Sequence, residues 1–116
     1  MLYTTITIGG IDYKARLNAK ACVELEKKLG TNPLNVFSKI ATDGSLPDLG
    51  TMIIILQTSL STLNHGITLD KAYELYDRFI EDGNTMMDLV PIIFEVFKVS
   101  GFFKEEEDTV EDSEKN

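Results

Sequence analysis

Tyr3-Thr4-Thr5-Ile6-Thr7-Ile8-Gly9-Gly10-Ile11-Asp12-Tyr13-Lys14-Ala15-Arg16-Leu17 reads as two strands joined by a tight turn. Both runs are rich in β-branched and aromatic residues. The Gly-Gly pair between them supplies the positive φ that a two-residue hairpin turn needs at both central positions. Alternation puts Ile6 and Ile8 on one face of the first strand. On the second it groups Ile11, Tyr13, Ala15 and Leu17 against polar Asp12, Lys14 and Arg16. Two strands alone are marginal in water, so the spacing predicts a hairpin over 3–17 whose apolar face packs on helices or pairs with another chain. Its edge needs protection.

Beyond the hairpin the punctuation is helical. Asn18 is a good N-cap for a segment that carries Cys22, Leu25 and Leu29 on one stripe before Gly30 ends it. Asn32-Pro33 places Pro at the first helical position, opening a short helix with Leu34, Phe37, Ile40 and Ala41 inward. After the loop Thr42–Pro47, Asp48 or Gly50 starts a long helix through Met52, Ile53, Ile54, Ile55, Leu56, Leu60 and Leu63. Being apolar nearly all round at first, it reads as a buried central helix, and Asn64-His65-Gly66 closes it. Thr68 caps the next, with Asp70 in its first turn and Leu69, Ala72, Tyr73, Tyr76, Phe79 and Ile80 as its apolar side. Thr85-Met86-Met87-Asp88 approximates a capping box for the last, which carries Leu89, Val90, Ile92, Ile93, Phe94, Val96 and Phe97 and ends near Ser100-Gly101. Pro91 inside it predicts a kink or a late start. The expected fold is α+β, mainly α: an N-terminal β-hairpin (3–17) followed by about five helices (18–101) in one globular domain, 1–103.

Length and composition set outer limits. One hundred and sixteen residues make one domain, and 43% hydrophobic with 26% charged residues is ordinary for a soluble globular chain. Nineteen acids against eleven Lys and Arg leave a net charge of −8, which argues against nucleic acid, whose binding rests on basic side chains neutralising phosphates. Most of that excess sits at the end, where residues 104–116 hold seven acids and two lysines around a single sizeable apolar residue, Val110. Nothing there offsets the entropy of ordering the segment, so 104–116 reads as a disordered acidic tail, a solubilising end in preference to the alternative of a partner-binding or partner-avoiding arm. The opening has neither the basic nor the apolar region of a signal peptide, and the longest apolar run, Met52–Leu56, is too short to span a bilayer. A cytosolic protein is expected, without membrane contact.

Candidate chemistry is sparse. A single cysteine and a single histidine exclude a disulfide within the chain and any Cys/His zinc cluster. His65 stands at a helix end, where a cation suits the dipole, and no nucleophile accompanies it in a recognisable setting. Cys22 lies on an apolar stripe and reads as core. Asp77, Glu81 and Asp82 lack the spacing of a calcium loop, and Gly44-Ser45-Leu46-Pro47 lacks the Asp directly before Ser that an acyl carrier needs. No phosphate loop or nucleotide fingerprint is present. The sequence therefore predicts no enzyme: no catalytic residue, no cofactor, no metal. What stands out is an apolar surplus in Met52, Met86, Met87, Phe94, Phe97, Phe102 and Phe103. These residues either dock back onto the domain or line a partner face, and Phe94, Phe97, Phe102 and Phe103 are the candidate partner-binding residues.

Several strings carry a family resemblance. Tyr3-Thr4-Thr5-Ile6-Thr7-Ile8-Gly9-Gly10 and Glu24-Leu25-Glu26-Lys27-Lys28-Leu29-Gly30-Thr31-Asn32-Pro33-Leu34-Asn35 resemble the start of phage tail assembly chaperones from long, non-contractile-tailed phages and prophages of Gram-positive bacteria. Leu63-Asn64-His65-Gly66-Ile67-Thr68, Tyr76-Asp77-Arg78-Phe79-Ile80-Glu81-Asp82-Gly83, and the ending from Asp88-Leu89-Val90-Pro91 to Phe97-Lys98-Val99-Ser100-Gly101-Phe102-Phe103 are similar to the same family. The likeness spans nearly all of 3–103, and none of its strings encodes a chemical mechanism.

The resemblance implies a non-enzymatic chaperone in the host bacterial cytoplasm, absent from the finished virion. It would bind the tape measure protein, keep it soluble and help recruit tail tube (major tail) subunits. It also implies a possible homo-oligomer and a longer form made by ribosomal frameshifting near the end of this one. The alternative is a small acidic phage-encoded regulatory or anti-host binding protein. Mimicry of nucleic acid would want acids spread over the body, whereas most of the excess lies in the tail.

Overall fold

Gly9 and Gly10 turn the chain at φ 61° and 79°, and β1 (Thr4–Ile8) pairs antiparallel with β2 (Ile11–Ala15) in the register Ile8↔Ile11 through Thr4↔Ala15. The computed structural model describes residues 2–103, so the acidic segment 104–116 lies outside the described residues. Five helices follow the hairpin: α1 (Ala19–Leu29), α2 (Leu34–Asp43), α3 (Leu49–Ser61), α4 (Leu69–Glu81) and α5 (Met86–Val99). The fold is α+β and mainly α. The hairpin's apolar face packs on helices, with Ile6, Ile8, Ala15 and Leu17 all buried. Ile11 shares that face in the alternation but sits at the turn, past the edge of the core, and stays exposed.

α3 is the centre. Met52, Ile53, Ile55, Leu56 and Leu60 are buried on it, and α1, α4, α5 and β2 all pack against it. A helix with so little polar face needs neighbours on most sides, and the chain supplies them. Its two buried hydroxyls bond their own helix, Thr58 Oγ1 to Ile54 O (2.8 Å) and Ser59 Oγ to Leu56 O (3.0 Å), and Thr58 Oγ1 also accepts from Lys28 Nζ of α1 (3.3 Å).

Backbone polar groups stitch the hairpin's exit onto this centre. Arg16 N donates to Ser59 O (3.1 Å), Leu17 N donates to Ser100 Oγ (2.9 Å), and Asn64 Nδ2 donates to Lys14 O (2.8 Å). At the other end, Gly9 N donates to Asp82 Oδ2 (2.6 Å), and Asp82 Oδ1 also takes Arg78 Nε at 3.2 Å. The turn is thereby tied to the end of α4.

Helix ends follow the capping expected. Asn18 Oδ1 accepts from Ala21 N (2.9 Å), Thr68 Oγ1 from Lys71 N (3.1 Å), and Asp88 Oδ2 from Thr85 N (2.8 Å). Asn32 Oδ1 accepts from Leu34 N (3.0 Å), and Pro33 already has helical φ and ψ. α5 does not start late. It runs unbroken through Pro91, whose missing N–H would have met the carbonyl of exposed Met87, where water can serve instead.

Two apolar faces differ from expectation. On α4 the buried residues are Ala72, Leu75 and Phe79, so the core side is rotated towards Leu75, and Leu69, Tyr73 and Ile80 lie exposed. α4 packs mainly on α3, with β1 as a second neighbour, and these two contacts set which side turns inward. On α2 no residue is buried. Phe37 and Ile40 are half-buried, while Leu34 and Ala41 face solvent. α3's faces are already taken by other elements, which leaves α2 at the periphery.

Replacing Gly9 and Gly10 separately by Ala separates backbone strain from crowding. Both hold positive φ, which costs an L-residue about 1–2 kcal/mol. A methyl at Gly9 would also meet Arg78 Cγ and Nε at 3.1 Å, whereas at Gly10 it meets open space. In urea titrations Gly9→Ala is therefore expected to lower the midpoint more than Gly10→Ala.

Candidate functional site

Ser100-Gly101 ends α5 in a way that decides what the neighbouring phenylalanines do. Gly101 takes φ 92°, its N–H donates to Lys98 O (3.1 Å), and Phe102 N donates to Phe97 O (3.0 Å). This is the paired-bond ending in which the residue after the glycine folds back over the last turn. The Phe102 ring accordingly meets the Phe97 ring edge-on, with centroids 4.6 Å apart.

The four candidate residues do come together, around a fifth that the sequence reading placed only in a core stripe. Phe37 of α2 lies 4.2 Å from Phe94, 4.7 Å from Phe97 and 6.0 Å from Phe103, and Phe94 and Phe103 are 6.4 Å apart. The roles within the cluster are unequal. Phe97 is wholly buried and belongs to the core, so it offers no surface to a partner. Phe102 is half-buried as the staple on the end of α5. Phe94 is also half-buried, and Phe103 keeps 38% of its surface exposed. The accessible apolar surface is thus the rim formed by Phe94, Phe103 and Phe37. Leu34, on the same short helix as Phe37, is exposed as well.

Phe37's part could have been read from its position: it is the one aromatic residue of a short helix with few other large apolar side chains. Its ring contacts supply much of the attachment of α2. Pro33, buried at the head of α2, is the other anchor. On its far side α2 borders a cleft of about 170 Å³ lined by Leu29, Val36, Lys39, Leu46, Pro47 and Asp48, among others. Asp43 closes α2 with its carboxyl held below the usual carboxylate range by hydrogen bonds from Ser45, whose N–H lies 3.0 Å from Oδ1.

The other singled-out residues take structural places. Cys22 is half-buried, with Sγ 3.9 Å from Leu17 O. Burial pushes its thiol up, Glu26 adds to the rise, and Arg16 opposes it. His65 is exposed in the turn after α3, where Asn64 does the tying, donating to Leu60 O as well as to Lys14 O. Asp82 holds the hairpin turn, as described above. Among the described residues no group of three or more His, Cys, Asp or Glu is placed to hold a metal ion, and no helix is long and apolar enough to cross a membrane.

Residues 2–115 match a family of unknown function, DUF6096, and the chain belongs to that family. The match runs through most of the acidic segment as well as the described residues. No curated protein and no solved structure matches the chain.

Two substitutions test the division of labour in the aromatic cluster. Phe97→Ala is expected to cost about 3–5 kcal/mol in urea unfolding, as truncation of a buried ring does. Phe37→Ala should cost less than half as much, because its ring is only half-buried. Separately, Cys22 should react with a thiol reagent at neutral pH more slowly than free cysteine, because burial disfavours the thiolate that reacts. In denaturant the two rates should converge.

Proposed function

We propose that this protein is a phage tail assembly chaperone, acting by binding and without catalysis, cofactor or metal. In this reading it coats the tape measure protein in the host bacterial cytoplasm, keeps it soluble, and helps bring tail tube subunits to it. The observation that carries the reading is the incompletely covered aromatic rim of Phe37, Phe94 and Phe103, in a protein whose core is already closed by Phe97. Apolar surface left in excess of the core's needs is the feature of a binding protein. The string resemblance over 3–103 supplies the kind of partner.

The physics of coating agrees with this surface. A tape measure protein is a long helical chain with apolar stripes, and a half-exposed aromatic rim suits the apolar side of such a helix. One rim gives weak affinity. Many copies along one chain gain through effective concentration, so the coat holds while each unit stays exchangeable when tube subunits arrive.

Co-expression with a tape measure protein tests the reading. Size exclusion with mass determination is expected to show a soluble complex holding many copies per partner chain. An insoluble partner beside an unbound 13.0 kDa monomer would overturn it. Phe102→Ser combined with Phe103→Ser is expected to reduce partner solubility, since it removes Phe103 from the rim and the Phe102 staple beside it. Unchanged solubility and assembly would remove this rim from the binding site.

A further inference from the structure

Rotation of α4 towards Leu75 leaves a regular feature on its outer side. Leu69, Tyr73, Tyr76 and Ile80 recur at spacings of four, three and four, which puts them within about 60° of arc on one side of the helix. Leu69 is 42% exposed, Tyr73 47% and Ile80 38%, with Tyr76 half-buried at the margin of the core. This is the seam pattern of helix-on-helix packing, two heptads long, and no element of the described chain covers it. Directly beside it run Asp70, Glu74, Asp77 and Glu81, at the same spacings and all exposed. Of these only Glu74 has an ion pair among the described residues, a long one to Lys71 (4.0 Å). The helix's two cations, Lys71 and Arg78, lie on the flank nearest the hairpin, where Arg78 is engaged by Asp82.

We propose that this outer face of α4 docks an amphipathic helix whose apolar seam is bordered by lysine or arginine. The apolar row supplies the area and the four carboxylates select the sign of the partner's flank, as charges beside a coiled-coil seam select partners. A second copy of α4 is a poor occupant. Antiparallel pairing would set Asp70 and Asp77 of one copy against the same residues of the other, and like charges so placed repel. The inference rests on the chaperone reading only in expecting a helical partner. Its test uses synthetic probes, so either can fail while the other stands.

The probes are two labelled peptides of about four heptads with a leucine seam, one with lysine and the other with glutamate at the flanking positions, titrated into the full chain and read by fluorescence anisotropy. The lysine-flanked helix is expected to bind at least about tenfold tighter than the glutamate-flanked one, and to weaken as salt is raised. Tyr73→Ser with Ile80→Ser should abolish binding. Asp70→Asn with Asp77→Asn should weaken it about tenfold and flatten its salt dependence. Glu24→Gln with Glu26→Gln, acids of α1 away from the row, should leave it unchanged. These residues are exposed, and circular dichroism checks that each variant is folded. Equal binding of both peptides, equal weakening by the α1 variant, or a dimer of the free chain that Tyr73→Ser disperses would overturn the proposal.

Discussion

Burial of α3 is the constraint from which the remaining structure follows. Met52, Ile53, Ile55, Leu56 and Leu60 point to several sides, so exposing any one side would return a row of apolar side chains to water. The hairpin, α1, α4 and α5 are arranged to prevent that. The polar exceptions on α3 reinforce the arrangement. Thr58 and Ser59 donate to the carbonyls of Ile54 and Leu56 on the same helix, and Gln57 reaches out to bond Ile67 O (2.8 Å) and to accept from Lys28 Nζ (3.0 Å), joining α1 and the following loop to it.

A centre surrounded on most sides also decides what is left over. α2 lies between α1 and α3 in the chain yet buries no residue of its own, and it depends on Phe37 and Pro33 for attachment. α4 serves the core with Ala72, Leu75 and Phe79 and carries a second apolar row outside it. Among the described residues, the apolar surface that the core leaves at the periphery includes an aromatic rim at α2 and α5 and a ridge on α4. Both belong to exposed or weakly attached structure, where binding can occur without disturbing the residues that hold the fold.

The division between what the sequence disclosed and what it withheld is physical. The Gly9-Gly10 turn, the caps at Asn18, Asn32, Thr68 and Thr85, and the central helix rest on local chemistry, which acts wherever the chain goes. The direction of a helix's apolar side is another matter when apolar residues occupy more than one side. In α4 both Leu69-Tyr73-Ile80 and Ala72-Leu75-Phe79 offer an inward row, and packing against α3 and β1, a long-range fact, chooses the second. The phenylalanines divide in the same manner. Their clustering was legible, but Phe97's burial and Phe102's fold-back depend on the Gly101 ending, and Phe37's place among them depends on how α2 returns across α5.

Native-state hydrogen exchange of the full chain tests most directly whether one buried helix carries the domain while its periphery stays available. The account predicts that amides of α3 exchange only through global unfolding, with the denaturant dependence of the whole domain, whereas amides of α2 exchange through a local opening that denaturant barely affects. Protection of α2 equal to that of α3, or loss of α3 protection ahead of the rest, would contradict it.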